Sequence, residues 1–135
     1  MSQENVEAFK RGLEAINRRD VEAMLEELDP QVEWHDVFSL MLVGEAKVYR
    51  GHEDVRELFR DLFAAFAVIE SEYPEIRDVG DQLVAIGRLR ARGMESGAEL
   101  ESQVVSVCEM KNGKVLRIQT YLDLKEALEA ADLSG

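Results

Sequence analysis

The sequence predicts an α+β domain with helices packed on one face of a curved antiparallel sheet, and three observations predict it. Apolar residues at helical spacing are confined to the first half of the chain and return only at its end. Residues 69–123 read instead as strands separated by turn signals. Finally, a chain of 135 residues buries roughly two thirds of its unfolded surface around one core, so a single domain over residues 1–135 needs neither metal nor disulfide.

Val6, Phe9, Leu13 and Ile16 step by three and four and predict a first helix over residues 3–18, with Ser2 as N-cap. Asp20 caps a shorter second helix carrying Val21, Met24, Leu25 and Leu28, which Pro30 prevents from continuing. The stretch DPQVEWHDV, residues 29–37, reads as a proline-started strand with Val32, Trp34 and Asp36 on one face. The next segment, VFSLMLVG at 37–44, has neither period: it is a pocket lid, a subunit contact or a short extra strand. Gly51 opens a third helix whose Val55, Leu58, Phe59, Leu62, Phe63 and Phe66 form the strongest amphipathic stripe in the chain. Then come four strands, IESEYPEIRDV, QLVAIGRLRARG, ELESQVVSVCEM and KVLRIQTYLD, with Gly80 and Asp81 at one turn. Asp123 and Glu126, at capping-box spacing, start a short terminal helix through Leu124, Ala127, Leu128 and Ala131.

Asn112 and Gly113 are a strong hairpin signal, because a type I′ turn needs positive φ at both central positions. A two-residue loop sets Lys111 opposite Lys114 and, counting outward, pairs Val107 with Ile118, Val105 with Thr120 and Gln103 with Leu122. These six form the more apolar face and are placed toward the helices. Val104, Ser106, Cys108, Arg117, Gln119 and Tyr121 are placed outward, and a bulge in either strand would invert the assignment.

Composition excludes several function classes. A formal charge of −12 argues against nucleic acid, whose affinity rests on lysines and arginines neutralising phosphates. No run of about 18 apolar residues is present to span a membrane. The start MSQENVEAF lacks a signal peptide's basic and apolar regions, and one cysteine makes no internal disulfide, so a cytoplasmic protein is expected. His35 alternates with Trp34 and Asp36 and points outward, and His52 belongs to the first turn of the third helix. With no Cys pair, HExxH or glycine-rich phosphate loop, no metal and no cofactor are expected.

A carboxylate on an apolar strand face is the sharpest chemical signal, and Asp36 has three readings: a pocket base, a pocket anchor or a turn-capping acid. Trp34 beside it is core or pocket wall. In RLRAR, alternation turns Arg88, Arg90 and Arg92 outward and Leu89 and Ala91 inward. Cys108 reads as a small packed residue.

The phrases AINRRDVEAMLEELDPQVEWHD, YRGHEDVRELF, KNGKVLRIQTYLD and LKEALEAADL, in this order of elements, resemble the SnoaL-like branch of the nuclear-transport-factor-2-like superfamily. The resemblance implies a cone-shaped sheet wrapped around three N-terminal helices, with an apolar pocket at one end. Members include ketosteroid isomerases, polyketide cyclases, dehydratases and epoxide hydrolases as well as non-catalytic binding modules, so the fold alone says little about the reaction. It puts a general-base aspartate on Asp36 and turns Arg88 inward, against the alternation. The ketosteroid-isomerase tyrosine falls on Gly12 and its protonated aspartic acid near Gln103; both depart from the pattern, although Gln103 can still donate a hydrogen bond. The expected site is thus Asp36 and Gln103 as reacting groups, walled by Trp34, Phe59, Phe63, Val105, Val107, Ile118, Thr120 and Leu122, with Arg88 facing a small hydrophobic ligand. A homodimer through Val104, Cys108 and Tyr121 is expected on the outer face.

Overall fold

The computed structural model describes residues 2–37, 45, 47–80 and 82–134. In chain order the elements are α1 (Ser2–Asn17), α2 (Val21–Leu25), β1 (Leu28–Asp36), β2 (Lys47–Arg50), α3 (Gly51–Ala65), β3 (Phe66–Val79), β4 (Gln82–Gly93), β5 (Glu99–Lys111), β6 (Lys114–Tyr121) and α4 (Leu124–Ser134). Most of the predicted VFSLMLVG segment, residues 38–44, lies outside the described residues. β1 begins at Leu28, ahead of Pro30. The β1–β6 register breaks between Leu28 and Glu33, and β2 pairs only from Glu33 onward, so the missing proline N–H falls where the ladder is already interrupted.

The α+β class holds, with one correction to the sheet. The strands form one curved, unclosed sheet in the order β2-β1-β6-β5-β4-β3. Its pairs are antiparallel except β1 with β6, which is parallel, so the sheet is mixed. The helical first half and the 66–121 strands are joined through that parallel pair.

Local chemistry sets the helix ends. Asp20 accepts a hydrogen bond from Ala23 N at 3.1 Å as N-cap of α2. α1 ends in a Schellman turn, in which Arg19 takes a left-handed φ of 61°, Asp20 N donates to Ala15 O and Arg19 N to Ile16 O. Arg19 uses the resulting direction to donate to the carbonyls of Phe63, Phe66 and Ala67, where α3 gives way to β3. At the other end Asp123 accepts from Lys125 N at 2.8 Å and starts α4.

The concave face carries the main core. Val55, Leu58, Phe59 and Leu62 of α3, with Phe9 and Ala15 of α1, are buried against Val32, Leu83, Ala85, Leu89, Val104, Cys108 and Ile118 of the sheet. A smaller cluster occupies the convex face, where Ala127 of α4 packs on Val84 and Val105.

One bulge corrects the predicted β5–β6 faces. Lys111 does pair with Lys114 and Met110 with Val115, but Glu109 then pairs with Arg117, leaving Leu116 as an extra residue. Beyond it the partners are Cys108 with Ile118, Ser106 with Thr120 and Val105 with Tyr121. Val104, Ser106 and Cys108 therefore face the helices, whereas Gln103, Val105 and Val107 face outward. The dimer surface predicted from Val104, Cys108 and Tyr121 does not exist as such: the first two are in the core, and Tyr121 packs against the α4 cluster.

Candidate functional site

Register builds the site across the concave face. Trp34 pairs with Ile118 and His35 with Gln119, so one step further Asp36 is level with Thr120, which pairs with Ser106. Asp36, Thr120 and Ser106 thus form a polar row over three neighbouring strands, in a face otherwise filled by aliphatic and aromatic groups. Trp34 and Ile118 lie in the next row, and Tyr49 of β2 stands opposite Trp34.

Above this row is a cavity of about 90 Å³, several times what one water needs. α1 contributes Phe9, Leu13 and Ile16, α3 contributes Phe59 and Leu62, and the sheet supplies the floor. Trp34 meets Phe59 edge to face at 5.2 Å between ring centroids, and Phe9 meets Tyr73 likewise at 5.4 Å, which fixes the walls.

Asp36 lines the cavity and is only 7 % exposed, so it is a buried carboxylate in a largely apolar wall. Burial, helped by the Asp36 charge, raises the Tyr49 phenol above its ordinary value and keeps it protonated. On the far side Tyr73 shares a 2.9 Å hydrogen bond with Ser106 Oγ. Burial pushes the Tyr73 phenol up to about 12, so it too stays protonated. Ser71 lines the cavity beside them. Among the described lining residues Asp36 is the sole charged side chain.

Of the residues expected from sequence, Asp36, Trp34, Phe59, Ile118 and Thr120 come together around this cavity. Gln103 does not: it is exposed, and its Oε1 accepts from Leu124 N at 3.2 Å, capping α4 on the convex side. Val105 and Val107 go with it, turned outward by the bulge into the α4 cluster. Phe63 is half-buried and packs on Phe59 with the Arg19 guanidinium 4.8 Å from its ring, outside the cavity lining. Leu122 lies beyond β6, 36 % exposed, in a shallow cleft with His35 and Lys47. Arg88 is exposed, as alternation predicts and contrary to the family-based placement. A side chain at Gly12 would grow toward Glu27, not toward the cavity that Phe9, Leu13 and Ile16 reach from the same helix.

His35 sits within 3.3 Å of Glu33 and 3.4 Å of Arg117, away from the cavity lining, and His52 Nε2 donates to Leu28 O at 2.9 Å. Among the described residues no group of three or more His, Cys, Asp or Glu side chains is placed to hold a metal, and no helix is long and apolar enough to cross a membrane. Sequence reading missed Tyr73, Ser71 and Ser106. Tyr73 precedes Pro74 in a strand otherwise rich in charge, a signal for a bulge that could have drawn attention to it.

A curved, unclosed sheet with helices packed on its concave face and a short C-terminal helix matches the NTF2-like fold. Residues 9–118 match the SnoaL-like domain, and the chain belongs to that family. An NTF2-like protein of unknown function from Burkholderia pseudomallei superposes with a TM-score of 0.80 at 23% identity, over 93% of this chain and 95% of its own. TerC, co-crystallised with polyporic acid, gives 0.79 at 22%, over 96% and 98%. A protein from Jannaschia sp. CCS1, described as a SnoaL-like polyketide cyclase, gives 0.73 at 18%, over 96% and 92%. At these identities the likeness is one of fold. No curated protein matches the chain in sequence.

Proposed function

We propose that the cavity binds a small, largely apolar carbonyl compound and that Asp36 acts on it as a cofactor-free general base. The observation that carries this is a carboxylate 7 % exposed, at a strand end, in a cavity walled by Trp34, Phe59 and Ile118. Asp36 ends β1 beside the cavity, a position from which a carboxylate reaches a ligand. The step is a proton transfer. The C–H bond next to the ligand carbonyl breaks, the proton goes to Asp36, and the electron pair moves onto the carbonyl oxygen as an enolate. Return of the proton to the same or another carbon restores Asp36 and needs no co-reactant. Isomerisation, cyclisation and dehydration all start from such an enolate. TerC, co-crystallised with polyporic acid, and the Jannaschia protein, described as a polyketide cyclase, are similar in fold and support carbonyl compounds as the class.

The second reading, a non-catalytic binding module, is favoured by one observation: no second carboxylate lines the cavity among the described residues. Deuterium exchange distinguishes them. Cyclic ketone probes in D2O, followed by proton NMR, should exchange their α-hydrogens faster with wild type than with Asp36→Asn, by about 10²-fold or more. Equal rates for both proteins, with the probes bound, would leave the binding reading in place.

A further inference from the structure

The acid–base reading uses Asp36 and leaves the opposite end of the polar row without a task. Tyr73, Ser106 and Ser71 all line the cavity there. Tyr73 and Ser106 are joined at 2.9 Å, and the Ser71 hydroxyl is close enough to act on the Tyr73 phenol. The Tyr73 and Ser106 hydroxyls bring two protons, and the bond between them uses one. One proton is left to donate. An oxygen with lone pairs but no proton, as in a carbonyl, is the ligand group that accepts it.

The other end has opposite polarity. An ionised carboxylate only accepts, with about four lone-pair sites, so a ligand donor adds to the contacts Asp36 already makes. Asp36 and Ser106 lie two strands apart in one row, about 10 Å at ordinary strand spacing. A hydrogen bond at each end therefore calls for a small ligand with polar groups at its two ends. No cationic side chain is among the described lining residues, so nothing there compensates a ligand carboxylate beside Asp36.

We infer that the cavity selects a small, neutral hydroxy-ketone, its carbonyl oxygen on the Tyr73 and Ser106 hydroxyls and its hydroxyl at Asp36. This rests on the reading of Asp36 as a pocket group. Trp34, the single tryptophan, lines the cavity and reports binding by its fluorescence.

The probes are 4-hydroxycyclohexanone, cyclohexanone, cyclohexanol and the anion 4-oxocyclohexanecarboxylate. Wild type should bind the first most tightly and the anion least. Tyr73→Phe should weaken both neutral ketones about three- to tenfold and leave cyclohexanol unchanged, the loss expected for one neutral hydrogen bond. Asp36→Asn should weaken the hydroxyl-bearing probes and leave cyclohexanone within twofold. Ser106→Ala reads the same hydroxyl site if Tyr73→Phe folds poorly. Ketone affinities unmoved by Tyr73→Phe and Ser106→Ala, with Asp36→Asn still selective for hydroxyl probes, overturn the hydroxy-ketone assignment and spare Asp36. Affinities unmoved by all three variants, or no Trp34 response to any probe at tens of millimolar, overturn both.

Discussion

Gly87→Ala tests how the fold delivers Tyr73 to the cavity. Glu72 pairs with Arg88 and Glu75 with Ile86, so Tyr73 and Pro74 together face the single residue Gly87. The bulge presses the β3 backbone onto that glycine. A Cβ at position 87 would lie 1.8 Å from Glu72 O, 2.7 Å from Glu72 C and 2.8 Å from Tyr73 Cα, all backbone atoms. Relief to ordinary contact near 3.4 Å requires the strand to retreat by about 1.5 Å, which one methyl group forces upon a ladder paired along its length. Overpacking of this kind costs about 3 kcal/mol, the upper end of its usual range. For a chain of this length that is a fall in Tm of roughly 10 °C, measured by calorimetry or circular dichroism. Because the displaced atoms belong to Glu72 and Tyr73, ketone binding read at Trp34 should weaken as well. A Tm within about 2 °C of wild type with unchanged ketone affinity would show that the β3 bulge does not press on Gly87.

Stability should also fall in alkali. Burial raises the Tyr73 phenol from 10.0 to about 12 and the Cys108 thiol from 9.0 to about 12, so the unfolded chain loses these protons first and stability declines as pH rises from about 9 to 12. Urea titrations at pH 7 and 11 should differ by a few kcal/mol, at ~1.4 kcal/mol for each tenfold difference in proton affinity between the folded and unfolded chain. Cys108→Ala should flatten that slope, and an unchanged slope refutes the assignment. Gln103→Ala should speed amide exchange in α4 and cost about 1 kcal/mol, with ligand affinity untouched, as an outer-face cap requires. On the proposed base reading, Asp36→Asn should abolish the α-hydrogen exchange without lowering Tm; a clear loss of Tm with unchanged ligand affinity would favour a purely structural acid.

The elements were legible in the sequence because each rests on local signals. The apolar spacing of α1 and α3, the Asp20 cap, the Asn112–Gly113 turn and the Asp123 start of α4 are all seen where they were expected. Asp36 was legible for the same kind of reason, since strand alternation ties it to Val32 and Trp34. What was not legible depends on pairing. Whether β1 runs beside β6, and which residue of β6 is extra, is decided by the neighbouring strand and by what the helices cover. Alternation also could not distinguish two good apolar sets on β5, because Val105 and Val107 have an apolar partner of their own in α4.

That ambiguity reaches the chemistry. In the unbulged register the inner face of β5 offers Gln103, Val105 and Val107, an amide and two aliphatic groups. With Leu116 extra it offers Val104, Ser106 and Cys108, and the hydroxyl of Ser106 comes within reach of Tyr73. A second bulge, opposite Gly87, lies at Tyr73 itself. Two single-residue irregularities therefore act on one hydrogen bond at the far end of the row that begins with Asp36: Leu116 of β6 sets the register that turns Ser106 of β5 inward, and the β3 bulge carries Tyr73 itself. Bulges interrupt ladder pairing and weaken a sheet locally, so a fold needs a reason to keep both. Their effect here is to bring Ser106 and Tyr73 together on the concave face, where the regular register of β5 would set Gln103, Val105 and Val107, and that is why the donor end of the site follows from pairing and not from position along the chain.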